Sequence, residues 1–167
     1  MINTASSGFS EAIKPLLNLL YTNIMMKPIK ESVAIVIEDD QGAFLVVKRA
    51  SDDSFAGHWG LPAASLRNNE TREDTAKRAA KDKLGVNIEI VGTIGDRTED
   101  KGEYLEHLTE YLVKITEGEI SLETRDPSVS RYADFKYADD PRILIPAAQG
   151  GSICSRIFLK NKGIDWN

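Results

Sequence analysis

Trp59–Val86 reads "WGLPAASLRNNETREDTAKRAAKDKLGV" and changes character partway along. Its first residues pair a Trp, a Leu-Pro and small side chains, a composition for a tight lead-in loop that brings backbone carbonyls close to something. Its second half reads as a helix. Glu70, Thr71, Glu73 and Asp74 crowd the start, where negative charge complements the macrodipole. Ala76, Ala80 and Leu84 recur every four residues as a buried stripe. Gly85 follows as the left-handed terminator. A purely structural helix accounts for the second half, but not for the approach to it.

Working outward, "ESVAIVIED" and "AFLVVKRA" are β-rich runs on either side of "DDQG", Asp39 to Gly42, and predict a hairpin. After the helix, Asn87 to Asp96 and Tyr104 to Thr116 read as two more strands. In the latter, Leu108 and Leu112 face one side, with His107, Tyr111 and Val113 on the other. Arg131 to Ala138 is a shorter, weaker strand. "GSICSRIFLKNKG" predicts a closing helix capped by Ser152, with Ile153, Ile157 and Phe158 as its stripe and Gly163 at its end. Strands before, between and after two helices indicate a mixed α/β (α+β) domain. Upstream, Ser10 to Ile24 is too short and too polar to span a bilayer. Ile13, Leu16, Leu17 and Leu20 give it helical periodicity, and Pro15 suits a first turn. This helix is expected to pack on the domain or on a second copy of the chain, as in a homodimer. Residues 1–30 thus read as an N-terminal helical extension and residues 31–167 as the domain.

Composition bounds the function. The 167 residues carry 41% hydrophobic and 28% charged side chains, ordinary for a soluble domain. A net charge of −5 with dispersed acids argues against a broad grip on nucleic acid or on an anionic membrane. Cys154 is the one cysteine, so no internal disulfide and no cysteine-rich zinc site arises. A reducing, cytoplasmic setting fits this usage.

The quoted stretch resembles the signature of the Nudix family: Gly, five residues, Glu, seven residues, Arg-Glu-Xaa-Xaa-Glu-Glu, one residue, Gly, after a Trp-Xaa-Leu-Pro-Gly-Gly lead-in. "WGLPAA" matches the lead-in with Ala63 and Ala64 in place of both glycines. Glu70, Arg78 and Gly85 then fall in register without a gap. The hairpin before it, the strands and helix after it, and the loop "VVKRASDDSFAGHWGLP" extend the likeness from Glu31 to about Phe158. The resemblance implies a Nudix-type α/β/α sandwich with a mixed sheet. It also implies hydrolysis of a nucleoside diphosphate linked to another moiety, with Mg2+ or Mn2+ neutralising the phosphates.

The chemical positions of the box are altered. The family's three glutamates fall at Ala79, Asp82 and Lys83. These share a sector about 100° wide beside the buried stripe and aim together at the lead-in loop. Only Asp82 keeps a carboxylate, and Lys83 puts an ammonium where a cation would sit. The two charges would repel by several kcal/mol at an effective dielectric near 20. The usual metal is therefore expected to bind poorly, with Asp82, Glu70 and an acid from the loop "DRTEDKGEYLE", Asp96 to Glu106, as the best remaining ligands. Asp82, Glu70 and Arg78 are the candidate catalytic residues, with Arg78 orienting carboxylates as the resemblance implies. Lys83 has two readings: it pairs with Asp82 or a loop acid, or it joins Arg78 and Arg49 in a metal-free anion pocket. Phe55, Tyr104 and Tyr111 are candidates to stack on a base or to fill the core, and His58 to touch a ligand or face solvent.

Three functions follow from these readings: a Nudix-type pyrophosphohydrolase with an eroded box, an inactive Nudix domain holding a nucleotide or other small phosphorylated ligand, and an assembly module.

Overall fold

The computed structural model describes residues 4–50, 55–123, 129 and 131–167, with the side chains of 4–10 and 23–25 outside the description. Of the loop after Arg49, residues 51–54 lie outside the described residues. The elements in chain order are α1 (Thr4–Met25), β1 (Ile29–Ile37), β2 (Phe44–Arg49), β3 (Trp59–Gly60), β4 (Ala63–Ser65), α2 (Arg72–Leu84), β5 (Asn87–Asp100), β6 (Leu105–Glu117) and β7 (Tyr132–Ala138). A 3-10 turn (Pro141–Leu144), α3 (Ile145–Gln149) and α4 (Ile153–Asn161) complete the chain.

Two sheets form, one in the order β4-β1-β6-β5 and one in the order β3-β2-β7. The first is mixed: β1 runs parallel to β6, while β4 and β5 are antiparallel to their neighbours. Residues 33–37 of β1 are buried without interruption, because both faces of the sheet are covered. Ala34 and Val36 pack toward Ile157, Phe158 and Leu159 of α4. Val33, Ile35 and Ile37 pack toward Ala76, Ala80 and Leu84 of α2. The result is the α/β/α sandwich expected from the sequence.

Helix α2 forms for the local reasons read from its residues. Thr71 Oγ1 accepts from Asp74 N at 3.0 Å, and Gly85 turns left-handed at φ 72°. Gly85 N then donates to Lys81 O and Val86 N to Ala80 O, satisfying the last carbonyls.

Four expectations change. The turn after β1 forms, with Asp39 N donating to Ala43 O at 2.8 Å and Gly42 at φ 80°. The predicted hairpin does not continue as a ladder: after the Glu38–Phe44 bridge, β1 and β2 diverge into separate sheets. β1 takes β4 and β6 as neighbours, and β2 takes β3 and β7. The segment Asp96 to Glu106 is mostly strand, its loop shortened to Lys101–Tyr104 between β5 and β6. A 3-10 turn and α3 precede the closing helix. Finally, Pro15 lies inside α1, not in its first turn, and Leu16, Leu17, Leu20 and Tyr21 remain exposed, so these residues do not pack on the domain. No helix among the described residues is long and apolar enough to cross a membrane.

Candidate functional site

The lead-in loop crosses between the two sheets. Trp59–Gly60 pairs with β2, and three residues later Ala63–Ser65 forms the edge of the mixed sheet. Pro62 O accepts from Ile35 N, and Leu66 N donates to Glu31 O, so alternate residues of this edge bond inward to β1. The backbone groups of Ala63 and Ser65 therefore point away from β1. They find side-chain partners: Ala63 N donates to Tyr132 Oη, Lys83 Nζ to Ala63 O at 2.5 Å, and Arg78 Nη2 to Ser65 O at 2.8 Å. Two cations of α2 thus reach around the sheet edge and satisfy carbonyls that an edge strand would otherwise leave open.

Arg78 is fixed further by Glu70. Its Nε and Nη2 meet the two carboxylate oxygens at 2.6 and 3.0 Å, and Arg67 N also donates to Glu70. The Arg78 hydrogen bond is the main reason the Glu70 carboxyl titrates near 2. A lowered acid pKa stabilises the fold above the ordinary Glu value and loses that contribution as pH falls toward about 2. The pair consequently survives mild acid.

A cavity of about 540 Å3 opens beside this edge. Arg49, Arg67, Arg78, Lys83 and Lys101 line it, with Glu106 as its carboxylate. Phe55 and Tyr104 add aromatic surface. Gly151 and Ser152 at the N-terminus of α4 close the wall, adding the positive end of a helix dipole. Arg49 and Lys83 both lie over the Tyr132 ring, at 5.6 and 5.4 Å from its centroid. The chemistry offered is anion binding by converging side-chain cations in a half-enclosed, partly aromatic space.

Of the candidates read from the sequence, Arg49, Phe55, Arg78, Lys83 and Tyr104 come together on this cavity. Glu70 supports it through Arg78. Asp82 is half-exposed on α2 and His58 half-exposed in the lead-in loop, and neither is among the lining residues. Tyr111 fills the core against α2, which resolves its two readings in favour of packing. Trp166, near the C-terminus, packs under Arg97 and Arg156 of its own chain. Arg67 and Lys101 were not singled out from the sequence. Arg67 lies inside the quoted stretch, and Lys101 is carried to the cavity by the β5–β6 turn, where it donates to Gly151 O at 3.0 Å.

The donor set does not suit a divalent cation. Among the described residues, no group of three His, Cys, Asp or Glu side chains is placed to share a metal. Ala79 has no donor, Lys83 brings positive charge, and Glu70 is saturated by Arg78 and Arg67 N. Glu99 is engaged as well. Burial alone would raise its pKa, but Arg156, Arg97 and Lys101 hold it low. Arg156 Nη1 meets both its oxygens, at 2.9 and 3.0 Å.

A NUDIX domain family model matches residues 28–140. The chain belongs to the Nudix family. A curated relative, the nucleoside triphosphatase NudI of Enterobacter sp. (strain 638), is 32% identical over 62 residues, a match covering 36% of this chain and 44% of that protein. The chain thus spans less than half the length of that relative. Among solved structures, a NUDIX hydrolase from Nitrosomonas europaea superposes with a TM-score of 0.62 at 15% identity, covering 82% of this chain and 89% of that one. The E. coli ORF135 protein does so with a TM-score of 0.60 at 16% identity, covering 81% and 91%. At these identities the structural likeness carries the fold alone.

One buried acid stands apart from the cavity lining. Glu110 of β6 is 0% exposed, and neither carboxylate oxygen has a hydrogen-bond partner. Burial raises its pKa well above the ordinary value, because the charged form would lose its water without gaining a partner. Its stabilising contribution is complete below the unfolded Glu pKa and is lost as pH rises toward the folded one. Glu110→Met is therefore expected to stabilise the fold by about 1–3 kcal/mol at pH 8 and to flatten the decline in stability above pH 5. Urea unfolding at pH 5 and pH 8 measures both effects.

Proposed function

We propose that this Nudix domain binds a small phosphorylated, nucleotide-like ligand through side-chain cations, with weak or absent metal-dependent hydrolysis of phosphoanhydrides. The position of Lys83 carries the reading. From the box position of a lost carboxylate, its ammonium reaches the Ala63 carbonyl and lines a cavity with four other cations. A compact, strongly charged ammonium there supplies the phosphate neutralisation that a divalent ion supplies elsewhere. Family membership and the name of the NudI relative put nucleoside polyphosphates first among ligands to try.

Thermal unfolding separates the readings. Inorganic pyrophosphate and nucleoside diphosphates are expected to raise Tm without added metal, whereas 5 mM Mg2+ or Mn2+ alone leaves it within about 1 °C. Stabilisation by metal alone, together with release of phosphate or a monophosphate from a nucleotide panel, would establish the hydrolase reading instead. The exposed Leu16, Leu17, Leu20 and Tyr21 of α1 favour self-association as an additional property. Sedimentation of the full chain, compared with a variant carrying Leu16→Ser and Leu20→Ser, tests it.

A further inference from the structure

Glu106 is unusual in its setting. It lines the cavity with five cations, yet it forms no salt bridge with any of them among the described residues. It is held instead by a hydroxyl: Ser32 Oγ donates to its Oε1 at 3.1 Å, and Ser65 Oγ lies 3.4 Å from Ser32 Oγ. Ser32 is buried, so the carboxylate is positioned by the sheet and does not swing freely on a surface. A carboxylate facing an anion cavity weakens every purely anionic ligand. Its placement makes sense when the ligand also brings a hydrogen-bond donor.

The strand register shows where that donor would sit. Ala63, whose carbonyl holds Lys83, pairs with Ala34 on β1, and Ala34 pairs with Glu110 on β6. Glu106 lies four residues back along β6 from Glu110. The backbones of Ala63 and Glu106 are thus two strands apart across the sheet, roughly 10 Å at the spacing of neighbouring strands, and the Glu106 carboxylate reaches back over β1 to Ser32. Tyr104 and Leu108, flanking Glu106 in sequence, line the cavity with it. The β4 edge brings Arg78 and Lys83 to the cavity. The β5–β6 end brings Lys101 together with the Tyr104 ring, the Leu108 side chain and an oriented acceptor.

We propose that Glu106 is a specificity residue that accepts N–H donors from an amino-bearing nucleobase while the cations at the β4 edge hold the phosphates. The inference rests on the anion-binding reading above and narrows it to nucleotides whose base carries an exocyclic amino group. A carboxylate accepts such donors and repels the carbonyl oxygens of a base that lacks them.

Calorimetric titration of the full chain tests this with inorganic pyrophosphate and two pairs, GDP against IDP and CDP against UDP, whose members differ by an amino group at one ring position. In at least one pair the amino-bearing nucleotide is expected to bind about ten-fold tighter than its partner. Glu106→Gln, which replaces an acceptor oxygen by a donor and removes the charge, is expected to cut that ratio to about two-fold while pyrophosphate affinity holds or rises. Equal binding within both pairs, with pyrophosphate bound, overturns this inference and leaves the anion site standing. A ratio unchanged in Glu106→Gln also overturns it. Absence of binding by pyrophosphate and all four nucleotides overturns it together with the reading of the cavity. Discrimination by the parent protein needs no variant, so a poorly folding Glu106→Gln does not block the test.

Discussion

Lys83→Glu is expected to abolish binding of inorganic pyrophosphate, weakening it by about 100-fold or more, while Lys83→Met weakens it about ten-fold. The argument is electrostatic. A unit charge about 4 Å from a phosphate is worth a few kcal/mol at an effective dielectric near 20, and charge reversal counts it twice. The cavity is open to water, which brings the effect of simple removal down toward ten-fold. The hydrogen bond from Lys83 to Ala63 O is lost in both variants, at about 1 kcal/mol of stability. A modest and equal fall in Tm should therefore accompany two very different losses of affinity. Calorimetry in low salt, repeated at 150 mM, reads the affinities and their screening. Pyrophosphate bound equally well by all three proteins would show that the phosphates lie elsewhere.

The same residue marks the boundary of what the sequence discloses. Helix α2 was legible because its determinants are local: a Thr71 cap, an Ala76–Ala80–Leu84 stripe and a Gly85 stop all lie within one window. The sector shared by Ala79, Asp82 and Lys83 follows from helical geometry alone. What Lys83 meets there does not, because the Ala63 carbonyl is turned outward by pairing between β4 and β1, a contact some thirty residues apart in sequence.

The hairpin shows the same limit from the other side. Residues 33–37 and 44–47 are buried on both faces, a pattern equally consistent with a two-stranded ladder and with two sheets that part at a corner. Only the competition of β4, β6 and β7 for the strand edges decides between them. The acids from Asp96 to Glu106 were read together as one loop, whereas strand pairing gives them separate fates. Glu99 is enclosed by three cations, Asp100 is paired with Lys27 at 2.6 Å, and Glu106 is turned into the cavity. Spacing on one helix is written in sequence, and cross-strand register is not.

The box can be tested by rebuilding it. Ala79→Glu with Asp82→Glu and Lys83→Glu adds two negative charges beside the one already at position 82 and removes the resident ammonium. The triple variant is expected to gain roughly 5–10 °C in Tm on addition of 10 mM Mg2+, where the parent gains almost nothing; a ligand at about 100 times its Kd contributes roughly 2.7 kcal/mol. Without metal it should be less stable than the parent, because Ala79 is 1% exposed and a carboxylate placed there is desolvated beside two like charges. That cost is itself informative, since metal would then restore stability selectively. The double variant Asp82→Glu with Lys83→Glu leaves Ala79 buried and covers the case in which the triple variant does not fold. It is expected to show a smaller Mg2+ response of the same sign. Release of monophosphate from a nucleoside diphosphate derivative, measured in parallel, asks whether the scaffold still aligns the phosphoanhydride once a cation is present. A parent protein stabilised by Mg2+ as strongly as the rebuilt one would mean that ligands outside the helix suffice, and that Lys83 yields its place to the metal.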